Sequence, residues 1–243
     1  MIDFHSHVLP GIDDGSKDVS ESLEMLSLSL LEGNDIIVAT PHFYVDRSSI
    51  TSFLDKRLNS FRMLTETLND MDSMNLVRDI YLGAEVYFYQ GISNNEHIRD
   101  LTINNTNYLL LEMPFTQWSK SVIAEVQMLI SNVGVTPILA HLDRYIRFKN
   151  SLRGLDTLLE RGCLSQMNTS FLMSWRNRIS AMKLIKSGRV HVLGTDMHNI
   201  TTRPPIMRKP LEFIERQCGN QYVEMFERNS KAILDANNFK LSL

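Results

Sequence analysis

Two histidines at the start of the chain have the spacing of metal ligands on a strand. In the opening segment MIDFHSH, Ile2 and Phe4 alternate with polar neighbours, which is the two-residue period of a β-strand. His5 and His7 are two residues apart, so on an extended backbone both imidazoles point to the same face. Such a strand can supply half of a metal site, although a chance pair on a short strand is the ordinary alternative. Metal binding is predicted only if later segments supply the missing ligands.

Later strand-like segments repeatedly end in residues that bind metals. Five of the seven histidines follow apolar strand-like runs, and carboxylates occupy similar positions. The candidate ligands are His5, His7, Asp14, His42, Glu85, Glu112, His141, Asp196 and His198. Each of them alone could be an ordinary turn or surface residue, but their recurrence at strand ends favours a shared site. His97 and His191 lack this placement and are interpreted as structural.

The candidate ligands offer nitrogen and carboxylate oxygen without sulfur. This chemistry suits Mn, Fe, Zn or Co and fits poorly with a structural cysteine zinc site. Nine candidates exceed what one ion needs, which predicts two or three divalent ions with a carboxylate such as Glu85 bridging a pair. Closely spaced ions can clamp the attacking and leaving oxygens of a phosphoryl transfer and generate hydroxide near neutral pH.

Two arginines lie close in sequence to these ligands. Arg144 follows His141 by three residues, and Arg203 follows His198 by five. Guanidinium groups bind phosphate oxygens with a planar, two-pronged geometry that lysine does not reproduce. An ordinary surface salt bridge is the alternative, but the position beside the ligands predicts a phosphate-binding role for both arginines.

The order of predicted elements indicates how these residues are brought together. Strands are predicted near the N-terminus and over 35–40, 80–89, 108–113, 136–140, 164–168 and 189–194, and helices over 18–32, 49–71, 119–132, 152–161, 176–187 and the C-terminal part. Alternation of this kind is typical of parallel strands with helical crossovers. About seven strands in 243 residues favour an irregular α/β barrel, in one domain spanning 1–243. Barrel chemistry gathers at the carboxyl ends of the strands, where the candidates fall.

Composition narrows the classes of function. The formal net charge of −3 argues against a general nucleic-acid-binding surface. No apolar run approaches the roughly 18–20 residues that span a bilayer, and the chain opens directly on a strand, so a cytoplasmic protein is expected. Cys163 and Cys218 form no CxxC pair, and neither has an arginine six residues later, as cysteine-dependent phosphatases have.

An ordered set of motifs resembles a known family. The segments IDFHSHVLPGIDDG, ATPH, LGAEVY, LLLEMP, ILAHLDRY and TDMHNITTRPP, from residue 1 to about 205, are similar to the PHP (polymerase and histidinol phosphatase) domain. More closely they resemble the bacterial manganese-dependent tyrosine phosphatases of capsule and exopolysaccharide clusters. The resemblance implies a distorted, TIM-like (β/α)7 barrel with a trinuclear site, and manganese is the expected metal.

The resemblance also implies which residues hold each ion. One ion would be held by His5, His7, Glu85 and Asp196, a second by Glu85, Glu112 and His141, and a third by Asp14, His42 and His198. Asp13 could replace Asp14, because adjacent carboxylates cannot be separated from sequence.

The activity expected from the resemblance is hydrolysis of a phosphotyrosine ester by direct attack of metal-bound hydroxide. Arg144 and Arg203 would stabilise charge on the phosphoryl oxygens, and His42 is one candidate for the general acid. The implied partner is the tyrosine-rich tail of a membrane-associated bacterial tyrosine kinase, without membrane insertion or nucleic-acid binding by this chain. The segments 43–48 and 173–178 match no motif of the family.

Two other functions compete with this interpretation. A histidinol-phosphate phosphatase, or another PHP phosphatase of small phosphomonoesters, would use the same metals on a small alkyl phosphate. A metal-stabilised interaction module without catalysis is the non-enzyme alternative. The complete ligand set and both arginines speak against the inactive module.

Overall fold

The computed structural model describes residues 1–70, 77–148 and 151–236. Its strands are β1 (Ile2–Ser6), β2 (Ile36–Ala39), β3 (His42–Phe43), β4 (Asp79–Leu82), β5 (Glu85–Tyr87), β6 (Tyr108–Glu112), β7 (Thr136–Leu139), β8 (Leu164–Asn168) and β9 (Val192–Gly194). Its helices are α1 (Val19–Leu31), α2 (Ile50–Asp70), α3 (Lys120–Met128), α4 (Leu142–Tyr145), α5 (Ser151–Leu159), α6 (Trp175–Lys186), α7 (Arg208–Cys218) and α8 (Asn220–Leu234). Strands and helices therefore alternate along most of the chain, as the sequence pattern predicts.

The strands form a curled parallel sheet that closes on itself. One set runs β1-β2-β4 and the other runs β3-β5-β6-β7-β8-β9, with every pair parallel. The two sets are continuous, because β2 leads directly into β3 and β4 directly into β5. Ser6 bridges Met197 beyond the end of β9, and the His7 amide donates to the Met197 carbonyl at 2.9 Å. Because β2 with β3, and β4 with β5, each occupy one position in the barrel, the nine strands form seven positions, which we call staves. The predicted distorted (β/α)7 barrel is confirmed.

One predicted strand is divided in the structure. Sequence periodicity predicts a single strand over 80–89, whereas β4 and β5 are separated at Gly83 and Ala84. The neighbouring stave breaks at Thr40 and Pro41, and proline has no N–H to donate to a ladder. The Gly83 amide donates to Ala39 before this break at 2.8 Å. The stave therefore changes partners, from β2 to β3, where its neighbour is interrupted.

The core has an inner part and an outer part. Phe4, Val38, Leu110, Ile138 and Val192 come from five different strands and pack in one buried cluster. Strands on opposite sides of a barrel can meet only through its interior, so this cluster fills the barrel. Burial of each such side chain contributes about 1.5–3 kcal/mol. The helices pack on the outside of the strands in two further apolar clusters.

The helix boundaries follow the expected local signals. At the start of α1, the Asp18 carboxylate accepts a hydrogen bond from the Glu21 amide at 2.9 Å, which is the predicted N-cap. Helix α1 ends before Gly33, whose φ of +92° is the left-handed conformation typical of a helix end. The predicted end of α2 at Met71 lies outside the described residues. None of the helices within the described ranges has the length and apolarity to cross a membrane.

Candidate metal centre

All nine predicted ligands converge at the carboxyl end of the barrel. Their nitrogen and oxygen atoms form four overlapping groups in which the ligand atoms lie within 4.8 Å of one another. The groups are His5, His7 and Glu85; His5, His141 and Asp196; His42, Glu85 and Glu112; and His7, Asp14, His42 and His198. The structure thus brings together residues that are as much as 193 positions apart in the sequence, from His5 to His198.

Glu85 is the centre of this arrangement. Its Oε2 lies 3.1 Å from His5 Nε2, 3.3 Å from His7 Nε2 and 3.0 Å from His42 Nδ1. Its Oε1 lies 2.6 Å from His141 Nε2. Four histidines from three staves, those of β1, β3 and β7, therefore face one carboxylate, and its side chain is fully buried. A single carboxylate with candidate histidine ligands near each of its two oxygens is suited to bridging two cations.

Asp13 and Asp14 occupy different positions although they are adjacent. Asp13 Oδ2 lies 2.7 Å from His7 Nδ1 and also accepts a hydrogen bond from the His42 amide at 2.9 Å. Asp14 Oδ1 lies 3.5 Å from His42 Nε2 and 3.6 Å from His198 Nε2. Asp13 therefore lies behind His7 and orients its ring, whereas Asp14 faces the cluster itself.

The Asp13 contact also controls the charge of His7. Burial lowers the pKa of His7, but the carboxylates of Asp13 and Glu85 outweigh it and raise the pKa to about 10. In return, although burial raises the pKa of Asp13, the His7 contact holds it well below the ordinary value. A metal ion on His7 Nε2 would have to displace that proton, so metal binding and proton release are linked.

The two buried glutamates have opposite pKa shifts. Burial raises the pKa of Glu85, but His5 and His141 outweigh it and hold the pKa well below its ordinary value. Burial raises the pKa of Glu112, and the nearby charge of Glu85 raises it further. A cation between the two carboxylates would favour the ionised form of both.

Two amide side chains on β8 hold the ligands from behind. Gln166 Oε1 accepts a hydrogen bond from the His141 amide at 2.9 Å and lies 3.3 Å from His5 Nδ1. Asn168 Oδ1 lies 3.1 Å from His141 Nδ1, and Asn168 Nδ2 donates to Asp196 Oδ2 at 2.9 Å. Partners of this kind fix the tautomer and the ring orientation of ligating histidines.

The backbone at two ligands is held in an unusual conformation. His141 has a φ of +53° and Asp196 a φ of +56°, in the left-handed region that residues other than glycine seldom adopt. The Asp3 carboxylate supports the second of these turns by accepting from both the amide and the hydroxyl of Thr195. Such strain, of order 1–3 kcal/mol per residue, persists where surrounding contacts fix a functional geometry.

Two glycines permit the close approach of the segments that carry ligands. A Cβ on Gly194 would lie 2.5 Å from the His5 Cβ, so only glycine allows β9 to run this close to β1. A Cβ on Gly15 would lie 2.2 Å from the His7 carbonyl oxygen, which packs the Asp13–Asp14 turn against the end of β1. These contacts bring Asp13, Asp14 and Asp196 to the histidine pair.

Arg144 and Arg203, which we call the arginine pair, border the cluster on one side. Arg144 donates to Glu112 Oε1 at 3.2 Å and to Asp196 Oδ2 at 3.1 Å. Arg203 donates to the same Asp196 oxygen at 2.6 Å. The turn before Arg203 is closed by the Asn199 side chain, which accepts from the Arg203 amide at 3.1 Å. Both predicted phosphate-binding arginines are therefore beside the predicted ligands.

The chemistry of the donor set fits divalent metal ions. Six buried atoms of the cluster make no hydrogen bond of acceptable geometry with the described residues: His42 Nδ1, both Glu85 oxygens, His141 Nε2, Asp196 Oδ1 and His198 Nε2. Each buried polar atom without a partner costs about 1–3 kcal/mol. Nitrogen and carboxylate donors without sulfur are ligands for Mn, Fe, Co or Zn, so these residues fit such ions.

Comparison with known proteins agrees with this chemistry. The family model described as capsular polysaccharide synthesis, CpsB/CapC, matches residues 1–235. The chain belongs to the CpsB/CapC family. The family-level resemblance drawn from the sequence motifs is therefore confirmed.

Named relatives cover nearly the whole chain. Tyrosine-protein phosphatase CpsB of Streptococcus agalactiae is 27% identical over 248 residues, covering 96% of this chain and 98% of that protein. Tyrosine-protein phosphatase YwqE of Bacillus subtilis is 26% identical over 245 residues, covering 96% of this chain and 91% of that protein. One solved structure, with a TM-score of 0.81 and 25% identity, covers 97% of this chain and 95% of its own. It belongs to a study of YwqE from Bacillus subtilis and CpsB from Streptococcus pneumoniae, described there as unique metal-dependent tyrosine phosphatases.

The two cysteines of this CpsB/CapC-family chain are outside the ligand groups. Cys163 is buried, and burial raises the pKa of its thiol to about 12. Burial also raises the pKa of Cys218. A nucleophilic cysteine requires a lowered pKa, so neither thiol has the character of a phosphatase nucleophile.

The residues that support the ligands were not predicted from the sequence. The strand 164–168 was predicted, but Gln166 and Asn168 were given no role. A signal was present, because two amides two residues apart on a strand inside the barrel point to one face. Asp3 gave a similar signal as a charged residue in a buried strand. His97 is exposed, beside Asp100, and His191 contacts Ser165.

Proposed function

We propose that this protein hydrolyses phosphotyrosine esters in proteins with the help of bound divalent metal ions. The observation that carries the proposal is the fully buried Glu85, faced by four histidines, with the arginine pair at the border of the same cluster. Nitrogen and oxygen ligands for cations beside two guanidinium groups are the components that phosphoryl transfer requires. The tyrosine-phosphatase names of the family relatives support the choice of substrate.

The proposed ligand sets divide the cluster around Glu85. His5, His7, Glu85 and Asp196 would hold one ion, Glu85, Glu112 and His141 a second, and Asp14, His42 and His198 a third. We assign Asp14 and not Asp13 to the third set, because Asp13 is engaged with His7 Nδ1 at 2.7 Å. Two or three ions, with manganese first and Fe, Co or Zn as alternatives, are consistent with this donor set.

The ions and the arginine pair would act on different parts of the reaction. Divalent ions held there would neutralise charge on the phosphoryl oxygens and lower the pKa of bound water. Arg144 and Arg203 would bind the remaining phosphoryl oxygens through their N–H groups. Their side chains are 32% and 38% exposed, so a phosphate that enters from solvent can reach them.

Release of the tyrosinate leaving group makes modest demands on the protein. Its conjugate acid has a pKa of about 10, so it needs less protonation than an alkoxide. His42 was predicted as one candidate acid, and this stays a prediction. Its Nδ1 lies 3.0 Å from Glu85 and its Nε2 lies 3.5 Å from Asp14, a position that favours the ligand role over the acid role.

No phosphoenzyme is part of the proposed scheme. The cysteines are outside the ligand groups, and burial raises the pKa of both thiols. Trapping of a phosphorylated side chain during turnover would contradict direct transfer to water. The physiological substrate we propose is the phosphorylated tyrosine-rich tail of a bacterial tyrosine kinase, through which this chain would regulate capsule or exopolysaccharide synthesis in the cytoplasm.

The deciding experiment measures hydrolysis by chelator-stripped protein titrated with Mn, Fe, Co or Zn. The substrates are a phosphotyrosine peptide and histidinol phosphate, and the variants are His5→Ala and, as a matched control, His97→Ala, because His97 is exposed and outside the cluster. We expect metal-restored activity on the peptide that His5→Ala abolishes and His97→Ala keeps. A preference for histidinol phosphate would assign the chain to small phosphomonoesters, and metal-replete protein inactive on aryl phosphates would indicate an interaction module.

A further inference from the structure

A cavity opens directly beside the candidate metal cluster, and part of its lining comes from the segment 43–48, which matches no family motif. This cavity, the β3-loop pocket, has a volume of about 450 Å³. It is lined by Ile12, Asp13, Asp14, His42, Phe43, Tyr44, Arg47, Ser48, Phe53 and Lys56. Since Asp14 and His42 belong to both the pocket and the candidate metal centre, any group in the pocket lies next to a substrate phosphate.

The pocket contains two cations that no carboxylate neutralises. Arg47 and Lys56 are exposed, and within the described residues neither makes an ion pair or a side-chain hydrogen bond, even with the adjacent Asp46 and Asp55. The two carboxylates of the pocket face histidines and pair with neither of these cations. Asp13 contacts His7, while Asp14 faces His42 and His198. The free charge on this side of the pocket is therefore positive.

The arginine is held in place by an aromatic ring. The Arg47 guanidinium carbon lies 4.2 Å from the centroid of Tyr44, a cation–π contact. The Arg47 amide donates to the Tyr44 carbonyl at 3.0 Å, so a turn fixes the two residues together. Tyr44 itself lies 5.3 Å from the His42 ring and 5.7 Å from the Tyr87 ring. A guanidinium stacked in this way keeps its N–H edge available for an anion.

We infer that the β3-loop pocket binds an anionic side chain that flanks the phosphotyrosine in the substrate. The anion is the carboxylate of an acidic residue or the phosphate of a second phosphotyrosine. This inference rests on the proposed function, because it places the first phosphotyrosine at the metal cluster. An extended peptide advances about 3.3 Å per residue, so a residue one or two positions away can reach a pocket that shares Asp14 and His42 with the centre.

The test compares peptides that differ at one position beside the phosphotyrosine. That position carries alanine, glutamate, lysine, or a non-hydrolysable phosphonate analogue of phosphotyrosine. We expect kcat/KM with glutamate or phosphonate to exceed that with alanine about fivefold, the range of a partly exposed ion pair, and to converge as salt rises. An advantage with glutamate identifies a carboxylate as ligand, and one confined to the phosphonate identifies a second phosphate. Equal values for all peptides would overturn the inference.

Variants then locate the preference in the pocket. The combined Arg47→Gln and Lys56→Gln variant should reduce the anionic-to-alanine ratio to about one, and Arg47→Glu should favour the lysine peptide instead. Arg62→Gln is the matched control, because Arg62 is an exposed arginine that lies outside the pocket on α2, the helix that carries Lys56. This variant should keep the anionic-to-alanine ratio of the wild type. A ratio unchanged in the double variant would refute this assignment. Failure of wild-type protein to hydrolyse any of the four peptides would instead refute the phosphatase proposal and this inference with it.

Discussion

The two sides of the barrel mouth present the same kind of side chain in different surroundings. On one side, the Arg144 guanidinium lies 5.4 Å from the Phe115 ring and donates to Glu112 and Asp196. On the other side, Arg47 lies 4.2 Å from the Tyr44 ring and has no carboxylate partner among the described residues. Both arginines are supported by an aromatic ring, so the ring does not distinguish them.

The two sides differ in whether a carboxylate pairs with the arginine. This difference separates a role in catalysis from a role in substrate recognition. Arg144 and Arg203 are oriented by Asp196, which is itself a proposed metal ligand, so their positions are coupled to the metal cluster. Arg47 is fixed only by its own turn and by Tyr44, so its charge is available to a group that comes with the substrate. Substitutions on the two sides should therefore differ in size and in kind.

The largest effect is expected at Glu85, because the arginine pair and the β3-loop pocket both lie beside the metal ions that Glu85 would hold. Glu85→Gln removes the charge that four histidines face, and we expect kcat to fall by about a thousandfold because several kcal/mol of charge stabilisation is lost with the metal ions. Metal content after dialysis, measured by mass spectrometry, should fall in parallel. Glu96→Gln, at an exposed glutamate, is the matched control. A Glu85→Gln protein that kept its metals and its activity would remove the centre of the proposed site.

The next largest effect is expected from arginine-to-lysine substitutions, which can be compared on the two sides of the barrel mouth. Arg203→Lys and Arg144→Lys keep the charge but lose the two-pronged geometry, and we expect kcat on a small aryl phosphate to fall about 10²–10³-fold, as for loss of an oxyanion donor. Arg47→Lys should keep the preference for anionic flanking residues, because a point charge suffices in the β3-loop pocket. Metal content should not change in any of the three. Full activity of Arg203→Lys would contradict the bidentate role.

A smaller effect is expected from a residue that acts only through the ligands. Asn168 contacts His141 Nδ1 at 3.1 Å and donates to Asp196 at 2.9 Å. Asn168→Ala should weaken metal affinity and lower kcat about 10–100-fold, the usual cost of losing a partner behind a metal ligand. The diagnostic measurement is the metal concentration needed for half-maximal activity, which should rise, and excess metal should partly restore kcat. A variant with lowered kcat but unchanged metal dependence would assign Asn168 to the fold alone.

The convergence of the candidate ligands could be predicted from sequence because each of them has a local signal. His5 and His7 at strand spacing, and Glu112 or His141 at the end of an apolar run, need only the rule that parallel strands place their carboxyl ends together. The roles of neighbouring residues depend on long-range contacts, which a local signal does not specify. The choice between Asp13 and Asp14 depends on a turn that Gly15 packs against His7, and the role of Asn168 depends on contacts across 28 residues.

The β3-loop pocket lay beyond prediction for a related reason. Arg47 and Lys56 are separated by nine positions, in a loop and a helix without strand or helix periodicity in common. Only the folded chain places both beside His42. The barrel itself was predictable from alternating elements, whereas the break between β4 and β5 was missed because it follows from Pro41 on the neighbouring stave, a contact that periodicity does not encode.

The smallest expected effect is a change in the pH dependence of stability at His191, which lies in the barrel wall away from its mouth. His191 lies outside the metal cluster, and its Nδ1 accepts a hydrogen bond from the Ser165 amide at 3.2 Å. Burial lowers its pKa below the ordinary 6.5, so the unfolded chain binds a proton more readily than the folded one. The free energy of unfolding should therefore decrease as pH falls below about 6.5, by an amount that His191→Gln removes because glutamine can accept the same bond without charging. Urea unfolding of chelated wild-type and variant protein at pH 7.5 and 5.5 measures that difference. If wild type and variant lose the same free energy of unfolding, the acid sensitivity comes from the metal cluster at the barrel mouth and not from His191.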